Sequence, residues 1–443
     1  MKITLIEPAM IKQKGFSEKP MFTFQPLTLG VLAGLTPADI EVQSIDDRLE
    51  TINYDQPRDL VGISVQTFSA RRAYQIAAEF RKRGVPVVLG GYHPTLLPEE
   101  ALHYADAVVQ GAAEGVWSRL LEDARQGQLR RLYQSTQALP LRNVSAQRSI
   151  YKGKHYLPAS LLETSRGCPQ ECSFCAVSVF SGRENRSRPV AEVVAEIAGL
   201  GKDFIFFVDD NIVGNPCAAR ELFQALIPLK IRWVGQASLA MTRNLELMQL
   251  MQKSGCQGVL VGIETLNPEN LRLIGKRWNT AGIGYGEELK IVREHGIAVV
   301  GSFVIGLDAD TLESLDATVE FAIEQSFFAA MFNILMPYPG TRLYADLLQQ
   351  GRLTHPNWWI DPEYTYGSVV FKPKNIPAAA LAEKRLEMYR CFYGAGSIFK
   401  RMANFHSNIA NLWKFATYLG LNLPACRQET RRYGLALGDE INT

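Results

Sequence analysis

The stretch that decides the fold runs Ser160-Leu-Leu-Glu163-Thr-Ser-Arg-Gly-Cys168-Pro-Gln-Glu-Cys172-Ser-Phe-Cys175. Ser160–Glu163 reads as a short apolar strand, and three cysteines spaced C-x3-C-x2-C follow at its carboxyl end. Three thiolates within eight residues wrap one corner of an iron–sulfur cube, because thiolates are its usual protein ligands. A set of four would make an electron carrier, whereas three leave one iron open to a small molecule. Zinc fits less well, since it wants four ligands usually brought in pairs, and the sequence has no second C-x2-C or His pair.

Outward from this loop the chain alternates strands with helices. The pattern predicts strands at Ser160–Glu163, Phe204–Val208, Trp233–Ala237, Gly258–Ile263, Val299–Ile305 and Met331–Leu335. Amphipathic helices are expected between them, near Val190–Leu200, Ala218–Leu226, Leu245–Lys253, Gly286–His295 and Leu312–Gln325. Six such units over 159–350 predict a partial TIM-like barrel with its site at the carboxyl ends of the strands.

Residues 1–135 show a second alternation, with strands predicted at Ile3–Ile6, Glu41–Ile45, Leu60–Val65, Val85–Leu89 and Ala107–Val109. This is the pattern of a doubly wound, Rossmann-like parallel sheet, which binds ligands beyond the carboxyl ends of its strands. Ser64, Gln66, Thr67, Gly90, Gly91, His93, Gly111 and Glu114 fall there. Residues 136–158 read as a linker, and 351–443 as a mostly helical, aromatic region capping the barrel mouth. The fold class expected is α/β throughout, with that helical cap.

Composition narrows the function. Forty-seven Lys and Arg against 45 Asp and Glu leave a net charge of +2, which argues against an electrostatic nucleic-acid binder. Seven cysteines cannot all pair in disulfides, and no secretory segment or membrane span is read in the sequence, so a cytoplasmic protein is expected. Cys217, Cys256, Cys391 and Cys426 are isolated and read as ordinary thiols. Gly282-Ile-Gly-Tyr-Gly286 has the wrong spacing for a dinucleotide loop, and no P-loop or serine-hydrolase elbow is found.

The triplet, with an aromatic immediately before its third Cys, resembles the signature of the radical S-adenosylmethionine (SAM) superfamily. Ser165-Arg-Gly-Cys168, Phe206-Phe-Val-Asp-Asp-Asn211, Gly262-Ile-Glu-Thr265, Gly301-Ser-Phe-Val-Ile-Gly306 and Pro337-Tyr-Pro-Gly-Thr341 follow in order. Together they resemble the class B branch, which joins a cobalamin-binding domain to the radical SAM barrel and includes hopanoid methylases and the anaerobic magnesium-protoporphyrin ester cyclase. The likeness covers roughly residues 1–375.

The resemblance implies a [4Fe–4S] cluster on Cys168, Cys172 and Cys175 whose free iron chelates SAM, cleavage of SAM to a deoxyadenosyl radical, and methyl delivery from cobalamin held by residues 1–135. Phe174, Asp209, Asp210, Gln236, Glu264, Gly301, Ile305 and Gly306 are its implied SAM contacts. A carboxylate at a strand end pairs with an ammonium or accepts from ribose hydroxyls; the competing role of Asp209 and Asp210 is helix capping. Arg183, Arg186 and Arg188 are either an anion site or a solvated basic loop.

One departure stands out. The Asp-x-His-x-x-Gly motif of many cobalamin proteins is missing, because Asp46-Asp-Arg-Leu-Glu50 has no His. Members of this branch often lack that His, so cobalamin is not excluded. The reading is a cobalamin-dependent C-methyltransferase acting on a small molecule, with an external reductant such as flavodoxin or ferredoxin. Alternatives are a ring-forming or other radical SAM reaction with cobalamin absent or auxiliary, and a cluster-bearing sensor or electron carrier without turnover. The aromatics Trp358, Trp359, Tyr364, Tyr366, Phe371, Tyr389, Phe392 and Tyr393 read as core between barrel and cap or as pocket wall. Ile409–Leu421 is apolar enough to rest against a membrane, although its ordinary role would be packing.

Overall fold

The computed structural model describes residues 1–13, 23–135, 140–201, 203–280 and 282–439. In chain order the strands are β1 (Lys2–Glu7), β2 (Ile11–Lys12), β3 (Glu41–Asp46), β4 (Leu60–Ser64), β5 (Val87–Gly90), β6 (Ala107–Gln110) and β7 (Leu132–Gln134). There follow β8 (Ser160–Leu162), β9 (Ser165–Arg166), β10 (Arg186–Ser187), β11 (Phe204–Phe207), β12 (Arg232–Gln236), β13 (Cys256–Glu264), β14 (Ala298–Ile305), β15 (Ala329–Ile334) and β16 (Gly438–Asp439).

The first sheet has the order β3-β1-β4-β5-β6-β7 and is parallel at every pairing. Its strands are apolar on both faces because helices cover both. Helix Ala70–Lys82 shows how the period works: Ala73, Ile76, Ala77 and Phe80 are buried, while basic Arg81 and Lys82 end the helix at its negative pole. β7 extends the sheet beyond the strands expected from sequence; three residues are too short to show a period.

The second sheet, β8-β11-β12-β13-β14-β15, is also parallel, and its edge strands β8 and β15 are not paired with each other. This is the open six-stranded barrel expected from sequence. Asparagine and threonine cap several of its helices: Asn215, Asn244, Asn267, Thr311 and Thr341 each accept from backbone N–H groups of the first turn.

The C-terminal region is distributed differently from a simple cap over the mouth. Trp358, Trp359, Tyr364 and Phe371 are buried core beside the mouth. Helices Ala395–Met402 and Leu412–Arg432, in contrast, begin at the opposite end. Lys414 donates to the Gly296 carbonyl ahead of β14, Arg401 donates to the Phe327 and Phe328 carbonyls ahead of β15, and Trp413 meets Phe204 at the start of β11. At 1.5 Å per residue, a 21-residue helix spans about 30 Å, enough to run the height of the barrel. Its last turns reach the mouth, where Glu429 accepts from Tyr366 and Arg385. The chain then returns to the N-terminal domain, where β16 pairs with β2 in a separate two-stranded sheet.

Candidate functional site

One cavity of about 660 Å³ occupies the barrel mouth. Cys168, Cys172 and Cys175 line it together with Phe174, Asp210, Gln236 and Glu264. Met10 and Phe68, from the loops after β1 and β4, border it from the first sheet; Tyr364, Tyr366 and Gly367 border it from the C-terminal region.

Strand parity decides which residues face this space. Leu260, Gly262 and Glu264 on β13, Ser302 and Val304 on β14, and Met331 and Asn333 on β15 point inward. Gly301, Phe303 and Ile305 alternate outward and are buried, so Gly301 and Ile305 do not line the cavity; Gly306, in the turn after β14 with φ of 92°, does not line it either. Gly301, Ile305 and Gly306 were expected as SAM contacts; it is Ser302 and Val304 that face the cavity. Gly301 is small for a packing reason, since a Cβ there would come within 2.6 Å of the Phe327 ring.

Glu264 sits at a bulge in the β13–β14 pairing with φ of 67°, an uncommon conformation for a non-glycine residue. Lys276 donates to its carboxylate at 2.6 Å and to the Gly262 carbonyl at 2.8 Å. Gly262 has no side chain because that space is filled: a Cβ would lie 2.3 Å from the Glu264 carboxylate and 2.8 Å from the Lys276 ammonium. Lys276 was not legible in the sequence as a site residue, since nothing in a loop lysine's spacing shows that it folds back over a strand end.

The two aspartates after β11 separate. Asp209 is buried and outside the cavity; its carboxylate accepts from the backbone N–H groups of Thr164 and Ser165 and from the Thr164 hydroxyl. Burial pushes its carboxyl up to about 7. The proposed SAM contact is therefore corrected for Asp209, which braces the backbone ahead of the cysteine loop. Asp210 does line the cavity and accepts from Gly167 N–H at 2.8 Å. Neither caps a helix, because Asn215 does. Gln236 donates to the Asp210 carbonyl at 3.2 Å.

The thiols are half-buried, and burial raises all three, Cys172 to about 12. They hold their protons until a metal displaces them, the usual exchange at a thiolate site. Among the described residues no three His, Cys, Asp or Glu side chains are grouped to hold a single metal ion. Three thiols from one loop fit an iron–sulfur cube, whose usual protein ligands are thiolates, better than zinc, which wants four ligands.

The residues expected at the first sheet's ligand edge do not line the cavity. Ser64 and Thr67 are buried, and Gln66 caps the turn Thr67–Ser69. Gly91 and Gly111 take positive φ at their turns. His93 is corrected from cofactor contact to core: it is fully buried, 3.0 Å from Glu100, which also accepts from Trp359 and Tyr74. Glu114 pairs with Arg166 instead. Arg183, Arg186 and Arg188 stay outside the cavity too; Arg188 is buried against Glu196 at 2.9 Å. Met10 and Phe68 are the contacts that the sequence reading missed. Single apolar residues in loops carry no signal.

Comparison with known proteins agrees with this geometry. Residues 162–322 match the radical SAM superfamily, and residues 26–121 match the B12 binding domain. The bacteriochlorophyllide d C-12(1)-methyltransferase of Chlorobaculum tepidum is 30% identical over 391 residues, spanning 85% of this chain and 84% of that protein. This chain belongs to the cobalamin-dependent radical SAM methyltransferases. The C-8(2)-methyltransferase of the same organism is 30% identical over 364 residues, 77% of this chain and 79% of its own. The radical SAM methyltransferase TsrM from Kitasatospora setae, solved with cobalamin and a [4Fe–4S] cluster, shares the fold at a TM-score of 0.64, with 17% identity and coverage of 91% and 88%. As a cobalamin-dependent radical SAM methyltransferase, the protein is an enzyme whose cofactors are a [4Fe–4S] cluster, SAM and cobalamin.

The chemistry of the lining suits these groups: three thiols for the cluster, the carboxylates of Asp210 and Glu264 for SAM, and the apolar Met10 and Phe68 from the first domain, with no histidine among the described lining residues. A corrin seated there would have no imidazole from this wall, in keeping with the missing Asp-x-His-x-x-Gly motif.

Proposed function

We propose that the protein C-methylates a small molecule with a broad apolar skeleton in the cytoplasm, using electrons from a flavodoxin or ferredoxin. The observation that carries this reading is the shared cavity. Phe68, Tyr338, Tyr364 and Tyr366 surround the space beyond Cys168, Cys172 and Cys175, so a flat apolar substrate can stack there while still reaching the cofactors. The relatives named for methylation of bacteriochlorophyllide d, a macrocycle, support the same class of substrate.

The residues divide the work. Cys168, Cys172 and Cys175 would hold the cluster; Glu264, Asp210 and Gln236 would receive the ammonium and hydroxyl groups of SAM, with Ser302 and Val304 beside its adenine. Met10 and Phe68 would border the corrin. When bound, the cluster and SAM supply hydrogen abstraction, and cobalamin supplies the methyl group. Tyrosine and methionine side chains around the space exclude water, which protects a reactive carbon from side reactions.

The test is anaerobic reconstitution with iron, sulfide and cobalamin, followed by methyl-labelled SAM and a panel of chlorin and polycyclic substrates. Label in an extracted product, with deoxyadenosine formed alongside, is the expected result. Deoxyadenosine without transferred label would instead mark a ring-forming or rearranging enzyme.

A further inference from the structure

Met388–Gln428 is a run of 41 residues without one Asp or Glu, although it holds five Lys and Arg. The enzyme as a whole carries almost equal numbers of both signs, so this segment is a local exception. It includes helix Ala395–Met402 and the first part of helix Leu412–Arg432, both of which begin at the end of the barrel remote from the cysteines.

Helix Leu412–Arg432 turns Lys414, Tyr418 and Asn422 inward, at intervals of four. Its opposite face, Leu412, Phe415, Ala416, Gly420 and Leu423, is exposed and has no charged residue. Phe399 and Phe405, from the preceding helix and its turn, are exposed as well. Leu412 is 81% exposed, Phe405 70% and Phe399 66%. Single exposed apolar side chains are ordinary, but several large ones along one helix face and its neighbour mark an interaction surface. Among these residues Arg390, Lys400 and Arg427 are exposed. The packed neighbour Tyr285–Glu294 brings Glu294 to the rim, where its backbone carbonyl bonds to His406.

We propose that this face docks the enzyme peripherally on an anionic lipid bilayer. Phe399, Phe405, Leu412, Phe415 and Leu423 enter the interfacial region, and Arg390, Lys400 and Arg427 meet headgroup phosphates. A second copy is the poorer occupant, because a twofold contact would set one basic, acid-free segment against another. No helix of the described residues is long and apolar enough to cross a membrane, so the contact lies on the bilayer. Because helix Ala395–Met402 and the first turns of Leu412–Arg432 lie at the starts of the barrel strands, docking through Phe399, Phe405, Leu412 and Phe415 leaves the cavity mouth open.

The test uses the full-length enzyme and vesicles of phosphatidylcholine with or without phosphatidylglycerol, read by co-sedimentation. Binding is expected to the anionic vesicles and to fall steeply with salt. The exposed triple variant Phe399→Ser, Phe405→Ser, Leu412→Ser should lose at least about tenfold in partitioning. The pair Lys400→Glu, Arg427→Glu, which touches no core residue, should lose preference for the anionic vesicles. Equal binding of wild type and triple variant would overturn the proposal, as would no binding to anionic vesicles. So would a concentration-dependent dimer, seen by analytical ultracentrifugation, that the triple variant abolishes.

Discussion

Arg166, two residues before the first cysteine, reaches across to Glu114 of the first sheet at 2.9 Å and simultaneously holds Glu163 at 2.7 Å. All three side chains are largely buried, and the two carboxylates keep the guanidinium charged. The bridge fixes the loop after β6 against the cluster loop, and the stack of Tyr92 on Phe180, centroids 4.1 Å apart, ties the loop after β5 to the same region.

Removing the cation should therefore do more than destabilise. Arg166→Met leaves two largely buried carboxylates uncompensated, a loss of about 3 kcal/mol. Glu114→Gln removes only the inter-domain half and should cost about 1 kcal/mol. Both should shift the visible spectrum of bound cobalamin while leaving the iron content unchanged. Melting curves and absorbance spectra of the reconstituted variants check this; unchanged spectra in Arg166→Met would show that the bridge does not set the position of the corrin.

Lys276 and Glu264 make a second prediction. Their pair presents both charges to the cavity, the complement of a zwitterionic amino acid end such as that of SAM. Glu264→Gln should weaken SAM binding by about tenfold with little loss of fold, since the amide can still accept from Lys276. Lys276→Met should be worse in both respects, because it strands a buried carboxylate. Calorimetric titration with SAM on the reconstituted protein separates the two.

The barrel and the doubly wound sheet were legible because parallel strands buried on both faces read as continuous apolar runs. Short alternations with amphipathic helices could hardly be anything else. The cysteine triplet was legible because its ligands are local in sequence. What sequence did not show were pairings made through space. Asp209 and Asp210 are adjacent, yet one braces backbone and the other faces the cavity. Parity along β14 depends on where the strand starts, so Ser302 and Val304 face the cavity where Gly301 and Ile305 were expected. His93 looked available in a glycine-rich loop, but its partner Glu100 lies seven residues on and its cover, Trp359, comes from the far end of the chain.

Asp209 predicts a pH dependence. Its carboxyl is raised by burial from 3.8 to about 7, so between those values the folded protein binds a proton that the unfolded chain has released. Stability contributed by this group is then greatest at low pH and falls as pH rises from about 4 to 7. Asp209→Asn keeps an oxygen for the Thr164 and Ser165 N–H groups without the titration. The melting temperature of wild type relative to this variant should drop by about 2 °C or more across that window. A difference flat with pH would mean the carboxylate is already ionised in the fold.

Gly167 offers the sharpest test of how the cysteine loop is built. It lies between the bracing at Thr164 and Ser165 and the first cysteine, Cys168, with φ of 95°, and its N–H is held by Asp210. A Cβ there would stand 2.2 Å from the carbonyl oxygen of Glu184 on the facing arm of the β9–β10 hairpin. Backbone cannot yield as a side-chain tip can, so Gly167→Ala combines a disfavoured φ with a steric clash. The hairpin must open, taking Cys168 away from Cys172 and Cys175. Iron content and the broad brown absorbance should fall several-fold, while far-ultraviolet circular dichroism stays unchanged, because the barrel strands do not depend on this contact. Gly182→Ala is the matched control. It has a positive φ of 80° in the same loop but nothing within 4 Å of its Cβ, so it pays the conformational cost alone. If both variants lose iron equally, backbone strain rather than the Glu184 contact governs the loop; retention of the cluster in Gly182→Ala alone identifies the close approach as what shapes the site.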